Sequence, residues 1–167
     1  MHSMEKKYIL SHDVALMKMR RMAFEIMENN KNQQTIILAG IKDNGKVIAQ
    51  QIGRFLKDDF NVDAKVIDIT INKKNALECT IEDSASVKGN ILIIIDDVVN
   101  SGKTLLYAMN PFLEHEPLKI QTLTLVERSY KVFPVHIDYV GISLATTFSE
   151  HIQVEVENGK VVGAFVE

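Results

Sequence analysis

The fold is decided by residues 91–104, which read Ile-Leu-Ile-Ile-Ile-Asp-Asp-Val-Val-Asn-Ser-Gly-Lys-Thr: five consecutive aliphatic residues, two acids and a small polar turn. The aliphatic run is too short to span a membrane and too rich in β-branched side chains for a helix, so it predicts a central strand buried on both faces. Beyond Thr104 the apolar residues return at helical spacing. Residues 101–104 would then lie at a helix N-terminus, where free backbone N–H groups bind anions. The stretch therefore predicts a phosphate site at the carboxyl end of a strand.

The same stretch also matches part of a nucleotide-binding pattern, G-x-x-x-x-G-K-[ST]. The first glycine of that pattern would fall at Asp97, where a carboxylate would repel the phosphate chain, so a nucleoside triphosphatase is disfavoured. An Asp-Asp pair alone most often caps a strand and faces water. Beside a phosphate-binding turn, adjacent carboxylates suit the vicinal hydroxyls of a ribose with a divalent cation nearby.

The composition is typical of one enzyme-sized domain. The chain has 167 residues, of which 46% are hydrophobic, and a net charge of -3, which gives no overall attraction to nucleic acid or membranes. The single cysteine, Cys79, excludes an internal disulfide. No run reaches the roughly 18 apolar residues of a membrane span, and the N-terminus has no signal-like apolar core. We therefore expect one cytoplasmic domain over residues 1–167 and no membrane partner.

Helical and strand patterns alternate along the chain. Ser11 is a candidate N-cap for a helix that ends near Asn29 and carries Val14, Met17, Met22, Ala23, Ile26 and Met27 on its apolar side. There follow a strand at 35–41, a helix after Gly45, a strand at 62–71, a polar segment at 72–90, the central strand at 91–95, a helix at 103–114 and a strand at 120–127. Residues 135–143 look extended, and residues 152–162 read as a hairpin that turns at Asn158-Gly159. Repeated crossovers predict an α/β fold with a mainly parallel central sheet flanked by helices.

A second candidate anion site is the loop Ile41-Lys42-Asp43-Asn44-Gly45. Asp-Asn-Gly is also a competent turn, and the local sequence does not separate the two interpretations. The loop follows a strand that should neighbour the central strand, so its backbone amides are expected to face the same crevice.

Residues 91–104 resemble the signature of the type I phosphoribosyltransferases, which is a hydrophobic strand, two acids and a Thr/Ser-Gly-x-Thr turn. The resemblance implies that Asp96 and Asp97 are catalytic and hold Mg²⁺ and the ribose of phosphoribosyl pyrophosphate. The ribose and 5′-phosphate would be bound by this pair together with Val98, Val99, Asn100, Ser101, Gly102, Lys103 and Thr104. It also implies that the loop at residues 41–45 binds pyrophosphate, and that a small hood spans about residues 128–167. Relatives acting on pyrimidines often place an arginine where this chain has Asn44, so amides, Lys42 and a metal would hold the pyrophosphate here.

In such enzymes a flexible loop, here about residues 72–90, closes over the reaction and excludes water. Lys73 and Lys74 would then cover the pyrophosphate. The tyrosine-arginine pair common in relatives is absent, so the alternative, that these lysines only solvate an exposed loop, stays open.

Over the whole chain, the sequence resembles the bifunctional pyrimidine operon attenuators that are also uracil phosphoribosyltransferases. The resemblance implies a base site formed by Glu127, Arg128, Val140 and Phe148. Purine enzymes have a lysine in place of Glu127 and an aspartate base in place of Asn100. An acid does not donate to a carbonyl oxygen unless protonated, and an amide does not accept a proton near neutral pH, so uracil is favoured over a purine. Phe148 instead favours a purine, because purine enzymes stack a phenylalanine on the base at this position. A role as a hydrophobic plug explains the residue equally well.

Two hypotheses follow. The first is a magnesium-dependent enzyme that transfers phosphoribosyl from phosphoribosyl pyrophosphate to uracil or, alternatively, to hypoxanthine or guanine. The second is a weakly catalytic or non-catalytic nucleotide sensor that binds messenger RNA through basic residues. RNA binding is the weaker prediction, because 22 acidic residues outnumber 19 basic ones and only Lys18-Arg20-Arg21 and Lys73-Lys74 cluster. By analogy we expect a homodimer.

Overall fold

The aliphatic run at residues 91–95 lies at the centre of a six-stranded sheet. The computed structural model describes residues 5–31, 35–72, 74–75, 78–147 and 150–167. Its elements are β1 (Lys7–Ser11), α1 (His12–Asn29), β2 (Ile36–Ile41), α2 (Asn44–Phe60), β3 (Lys65–Ile71), β4 (Cys79–Ile81), a 3₁₀ helix (Ser84–Val87), β5 (Ile91–Val99), α3 (Lys103–Leu113), β6 (Lys119–Arg128), β7 (Tyr139–Leu144), β8 (Ile152–Glu157) and β9 (Lys160–Val166).

The sheet has the strand order β4-β3-β2-β5-β6-β7. All neighbouring pairs from β3 to β7 are parallel, and only β4 runs antiparallel to its partner β3. Parallel pairing requires crossover connections. Helix α2 connects β2 to β3, and helix α3 connects β5 to β6. The predicted α/β fold with a mainly parallel sheet is confirmed.

Helices cover the sheet on both faces, which explains the uninterrupted aliphatic run of β5. All five side chains at residues 91–95 are fully buried. Because side chains alternate along a strand, Ile91, Ile93 and Ile95 pack with α1 and α2, whereas Leu92 and Ile94 pack with α3. Burying such a side chain stabilises the fold by about 1.5–3 kcal/mol, so the run strongly favours the central position.

Helix α1 begins as predicted, but its buried face differs from the prediction. The Oγ of Ser11 accepts a hydrogen bond from the backbone N–H of Val14 at 3.2 Å. Met22, Ala23 and Ile26 are buried as expected. Val14 and Met17 are 39% and 69% exposed, and the rest of the buried stripe is formed by Ala15 and Met19.

The C-terminal hairpin is confirmed, and it belongs to a second sheet that the sequence did not reveal. Strands β8 and β9 pair antiparallel, and Asn158 and Gly159 connect them with φ values of 50° and 72°. Strand β1, which was not predicted, pairs with β9 and completes a three-stranded sheet. The hairpin contributes Val154 and Val161 to the cluster around α1 and α2.

The polar segment at residues 72–90 contains a strand and a short helix that the sequence analysis did not predict, and its flexibility stays a prediction. Strand β4 extends the sheet edge, and the 3₁₀ helix that follows inserts Val87, fully buried, beside α3. Of the two lysines expected to act as a lid, Lys73 lies outside the described residues. Lys74 is exposed, and its backbone N–H donates to Asn72 Oδ1 at 2.9 Å. In the part of the chain covered by the structure, no helix has the length and apolar character needed to cross a membrane.

Candidate active site

The acids and the turn lie at the carboxyl end of β5, as the sequence predicted, but the strand is longer than expected. It ends at Val99, so both acids are part of the strand, and Asp96 is paired with Thr124 of β6. Gly102 follows with φ of 87°, a left-handed conformation that glycine adopts without a steric penalty, and α3 begins at Lys103. The free N–H groups of the first turn of α3 therefore lie at the end of the central strand.

A cavity of about 180 Å³ occupies this corner. Its lining contains nearly the whole predicted phosphate site: Asp96, Val98, Val99, Asn100, Ser101, Gly102, Lys103, Thr104 and the following Leu105. The segment after β6 packs against this turn, because the backbone N–H groups of Val132 and Phe133 both donate to the carbonyl of Ser101 at 3.0 Å. Asp97 is not among the lining residues.

The two carboxylates are close to each other and to backbone donors. Asp96 Oδ1 accepts from the N–H of Asp97 at 2.9 Å, and Asp97 Oδ1 accepts from the N–H of Val98 at 2.8 Å. Burial, followed by the charge and the side-chain hydrogen bond of Asp97, raises the pKa of Asp96 well above its ordinary value. A cation beside the pair would relieve that repulsion, and the donor set of two hard carboxylates suits Mg²⁺.

The predicted pyrophosphate loop packs directly against this strand end. Gly45, buried in the first turn of α2, permits the approach, because a Cβ there would lie only 2.5 Å from the carbonyl oxygen of Ile95. The peptide bond between Lys42 and Asp43 is cis. The amide Nδ2 of Asn44 donates to Asp97 Oδ2 and to the carbonyl oxygen of Val154, both at 3.0 Å. Both amide protons of Asn44 are therefore engaged within the protein.

Two residues beside this loop were missed by the sequence analysis, Lys46 and Asp68. Asp68 is 8% exposed on β3, and its Oδ2 contacts Lys46 Nζ at 2.8 Å and Lys42 Nζ at 3.4 Å. Burial opposes ionisation of Asp68, but the hydrogen bonds and charges of Lys46 and Lys42 together outweigh it and lower its pKa. Two cations share one carboxylate, so the group carries a net positive charge at the N-terminus of α2.

A second and larger cavity, of about 580 Å³, adjoins the first. The two share Asn100 and Ser101, and the remaining lining residues are Arg128, Ser129, Tyr130, Val132, Leu144, Ala145 and Thr146. Across the described ranges, two buried side-chain polar atoms lack a hydrogen-bond partner, Arg128 Nε and Thr146 Oγ1. Both belong to residues that line this cavity.

The residues expected to bind the base are only partly brought together. Arg128 lines the larger cavity, whereas Glu127 is paired with Lys131, with Oε2 and Nζ 2.7 Å apart. Val140 packs against the hydrophobic cluster under α3. Phe148 lies outside the described residues. Thr146, which also lines the larger cavity, was not predicted, because a threonine in a loop carries no local signal of such a position.

Comparison with known proteins identifies the family. The family model for the phosphoribosyl transferase domain matches residues 6–158 of this chain. The chain belongs to the phosphoribosyltransferase family. The bifunctional protein PyrR of Fusobacterium nucleatum is 33% identical, with 89% of each chain covered, and that of Enterococcus faecalis is 34% identical, with 92% of each covered.

Solved structures show the same fold. Hypoxanthine phosphoribosyltransferase of Trypanosoma cruzi superposes with a TM-score of 0.76 at 19% identity and covers 85% of this chain and 83% of that one. A hypoxanthine-guanine phosphoribosyltransferase of Bacillus anthracis gives a TM-score of 0.73 at 20% identity, covering 88% and 85%. The predicted fold, the resemblance and the enzyme class, transfer of phosphoribosyl to a nucleobase, are confirmed.

Proposed function

We propose that this phosphoribosyltransferase uses uracil as the acceptor, forming uridine monophosphate and pyrophosphate. The observation that carries the proposal is the pair of adjoining cavities, which meet at Asn100 and Ser101. One lies at a helix N-terminus and suits a phosphate, and the other is wider and largely apolar, as expected for a base. A nucleoside monophosphate spans such a pair with its ribose at the junction.

The acids at the end of β5 are proposed to hold the ribose hydroxyls and Mg²⁺. Among the residues that the structure describes, no three metal-ligating side chains cluster together. We therefore expect the protein to supply two ligands to the metal, Asp96 and Asp97. Substrate oxygens would complete the coordination, which is the usual arrangement for Mg²⁺. When bound, the ion neutralises charge on the pyrophosphate oxygens.

The pyrophosphate is proposed to bind at the loop of residues 41–45. The amides of residues 43–45 lie at the N-terminus of α2, and Lys42 and Lys46 add positive charge held in place by Asp68. Asn44 offers no free amide proton to the ligand, since both are donated within the protein. Charge neutralisation therefore rests on the two lysines and the metal, so that catalysis depends on positioning and electrostatics.

Uracil is preferred over a purine because of the residues near the base cavity. The charge of Glu127 is balanced by Lys131, and Asn100 at the junction is an amide that does not act as a base near neutral pH. The purine alternative is tested by supplying uracil, hypoxanthine and guanine separately with phosphoribosyl pyrophosphate and Mg²⁺ and measuring pyrophosphate release. We expect release with uracil. Turnover of a purine without turnover of uracil would overturn the base assignment.

The same assay tests the acids. Asp97→Asn keeps the shape of the side chain but removes the charge next to Asn44, and we expect it to abolish release. Asp63→Asn is the matched control, because that carboxylate is 84% exposed and pairs with a surface lysine. Full activity of Asp97→Asn, or no calorimetric binding of millimolar phosphoribosyl pyrophosphate with Mg²⁺ to the unaltered protein, would refute the site.

The RNA-binding alternative receives no support from the basic cluster on α1. Arg20 forms a two-point ion pair with Asp59, at 2.9 and 2.8 Å, and Arg21 pairs with Glu25 and donates to two backbone carbonyls. These guanidinium groups are therefore engaged in contacts within the protein. Filter binding of a pyrimidine-leader RNA across a salt series is expected to show no salt-dependent retention. The homodimer and the cytoplasmic location stay predictions.

A further inference from the structure

We propose that Asp68 is a built-in counter-ion for Lys42 and Lys46, which limits how tightly the site holds pyrophosphate after the reaction. The inference rests on the proposed function, because it concerns release of the leaving group from the proposed pyrophosphate site. Asp68 does not touch the substrate and acts through the two lysines. Its side chain is 10% exposed, whereas those of Lys42 and Lys46 are 43% and 39% exposed and accessible to a ligand.

The backbone determines that one carboxylate lies near both lysines. Asp68 of β3 is paired with Gly40 of β2, and a Cβ at Gly40 would lie only 2.5 Å from Lys46 Cα. Because Gly40 has no side chain, Lys46 passes close over β2 and its Nζ reaches Asp68 at 2.8 Å. Lys42 is tied to β3 by its backbone N–H, which donates to the carbonyl oxygen of Ile69 at 2.8 Å. Both ammonium groups are therefore positioned against the same carboxylate.

The charges of this group leave an excess of positive charge. Lys46 lies in the first turn of α2, where the helix dipole disfavours a cation. The hydrogen bond and the charge of Asp68 raise the pKa of Lys46, and the charge of Glu82 adds a smaller contribution. Asp68 offsets only one of the two lysine charges. The group therefore favours an anion, but less strongly than two uncompensated lysines would.

The carboxylate remains charged and in contact when an anion binds. Burial opposes ionisation of Asp68, but the hydrogen bonds and charges of Lys46 and Lys42 lower its pKa overall. An ammonium group has three donors, so each lysine can contact Asp68 and a ligand together. Asp68 and pyrophosphate then repel each other across the lysines. Phosphoribosyl pyrophosphate has further contacts through its ribose and 5′-phosphate, so the repulsion favours departure of the free product.

Asp68→Asn tests the proposal, because it removes the negative charge and keeps an oxygen that accepts a hydrogen bond from a lysine. Calorimetry with pyrophosphate and Mg²⁺ should give a Kd roughly tenfold lower than that of the unaltered protein, since one screened repulsive charge is lost. Pyrophosphate should also inhibit formation of uridine monophosphate at a roughly tenfold lower concentration. If Asp68 served only to hold the lysines in place, the same variant would raise the Kd.

A second variant tests the charge without the Lys46 contact. In the Lys46→Met background, adding Asp68→Asn should again lower the Kd for pyrophosphate, because the carboxylate still opposes the charge of Lys42. Equal Kd values with and without Asp68→Asn in this background would overturn the proposal. Asp63→Asn is the matched control, since it removes the same charge from a surface pair with Lys57 and should leave the Kd unchanged.

The outcomes separate this inference from the proposed function. If the unaltered protein binds no pyrophosphate at millimolar concentration with Mg²⁺, the proposed pyrophosphate site fails. If it binds pyrophosphate and uses uracil, but Asp68→Asn has an unchanged or higher Kd, the proposed function stands and the role of Asp68 as a counter-ion is wrong.

Discussion

Gly45→Ala is expected to destabilise the protein, although alanine is the better helix former. Gly45 lies in the first turn of α2, where a new Cβ would be 2.5 Å from the Ile95 carbonyl oxygen and 3.4 Å from Asp96 Cα. Relief requires a shift of about 1 Å between two backbone segments, one of them in the central strand. Overpacking of this kind costs about 3 kcal/mol, and the gain in helix propensity returns about 1 kcal/mol. The net loss is therefore about 2 kcal/mol.

The same displacement should impair the active site. Asn44 precedes Gly45 and bonds to Asp97, so moving α2 away from β5 separates the pyrophosphate loop from the acids. A misplacement of about 1 Å costs on the order of 100-fold in rate. Urea unfolding measures the first effect, and pyrophosphate release with uracil measures the second.

Gly53→Ala in the same helix is the control. A Cβ at Gly53 would lie 3.7 Å from Leu38 Cδ1 and Val66 Cγ2, which is ordinary contact, so this variant should be more stable by up to about 1 kcal/mol. If Gly45→Ala proved as stable as Gly53→Ala and fully active, α2 would not be in close contact with the central strand. The reasoning that joins the two anion sites would then be refuted.

Three further predictions concern the charged groups of the site. Lys46→Met should raise the KM for phosphoribosyl pyrophosphate about tenfold, whereas Lys57→Met, far along the same helix, should leave it unchanged; equal values would exclude Lys46 from the anion site. Asp68→Asn should lower the melting temperature at pH 7, and because the pKa of Asp68 is lowered in the fold, the difference from the unaltered protein should shrink as the pH falls below about 4. A difference that does not depend on pH would contradict the ion pair. Asn44→Asp replaces a donor to Asp97 by a third carboxylate, so calorimetry should show weaker binding of phosphoribosyl pyrophosphate, and unchanged affinity would show that this hydrogen bond is unimportant.

The sheet was predictable because its signals are local. The aliphatic run of β5 and the helical spacing after Gly45 each report burial within a few residues. The buried face of α1 was not predictable to the same degree, because apolar residues lie on several sides of the helix and only tertiary packing selects Met19 over Met17. Strand β1 was missed for a similar reason. Its pairing partners in β9 lie at the other end of the chain.

The same limit applies to the site. The turn at residues 100–104 is contiguous, so its place at a helix N-terminus, on which the proposed phosphate site depends, was predictable from the sequence. The contacts of Lys46 with Asp68 and of Asn44 with Asp97 join residues 22 and 53 positions apart. No local pattern encodes such contacts, and they exist only because parallel strands bring their carboxyl ends to one edge of the sheet.

The contacts of Asn44 indicate what replaces the guanidinium group that relatives often have at residue 44. An arginine beside Asp97 would form an ion pair with the carboxylate and compete with a cation for it. The neutral amide of Asn44 donates to Asp97 and leaves its negative charge for the proposed ribose and metal ligands. In the proposed site, positive charge for the pyrophosphate would come separately from Lys42 and Lys46, which both contact Asp68. The exchange of arginine for asparagine therefore redistributes the charges of the site, and it does not by itself imply weak catalysis.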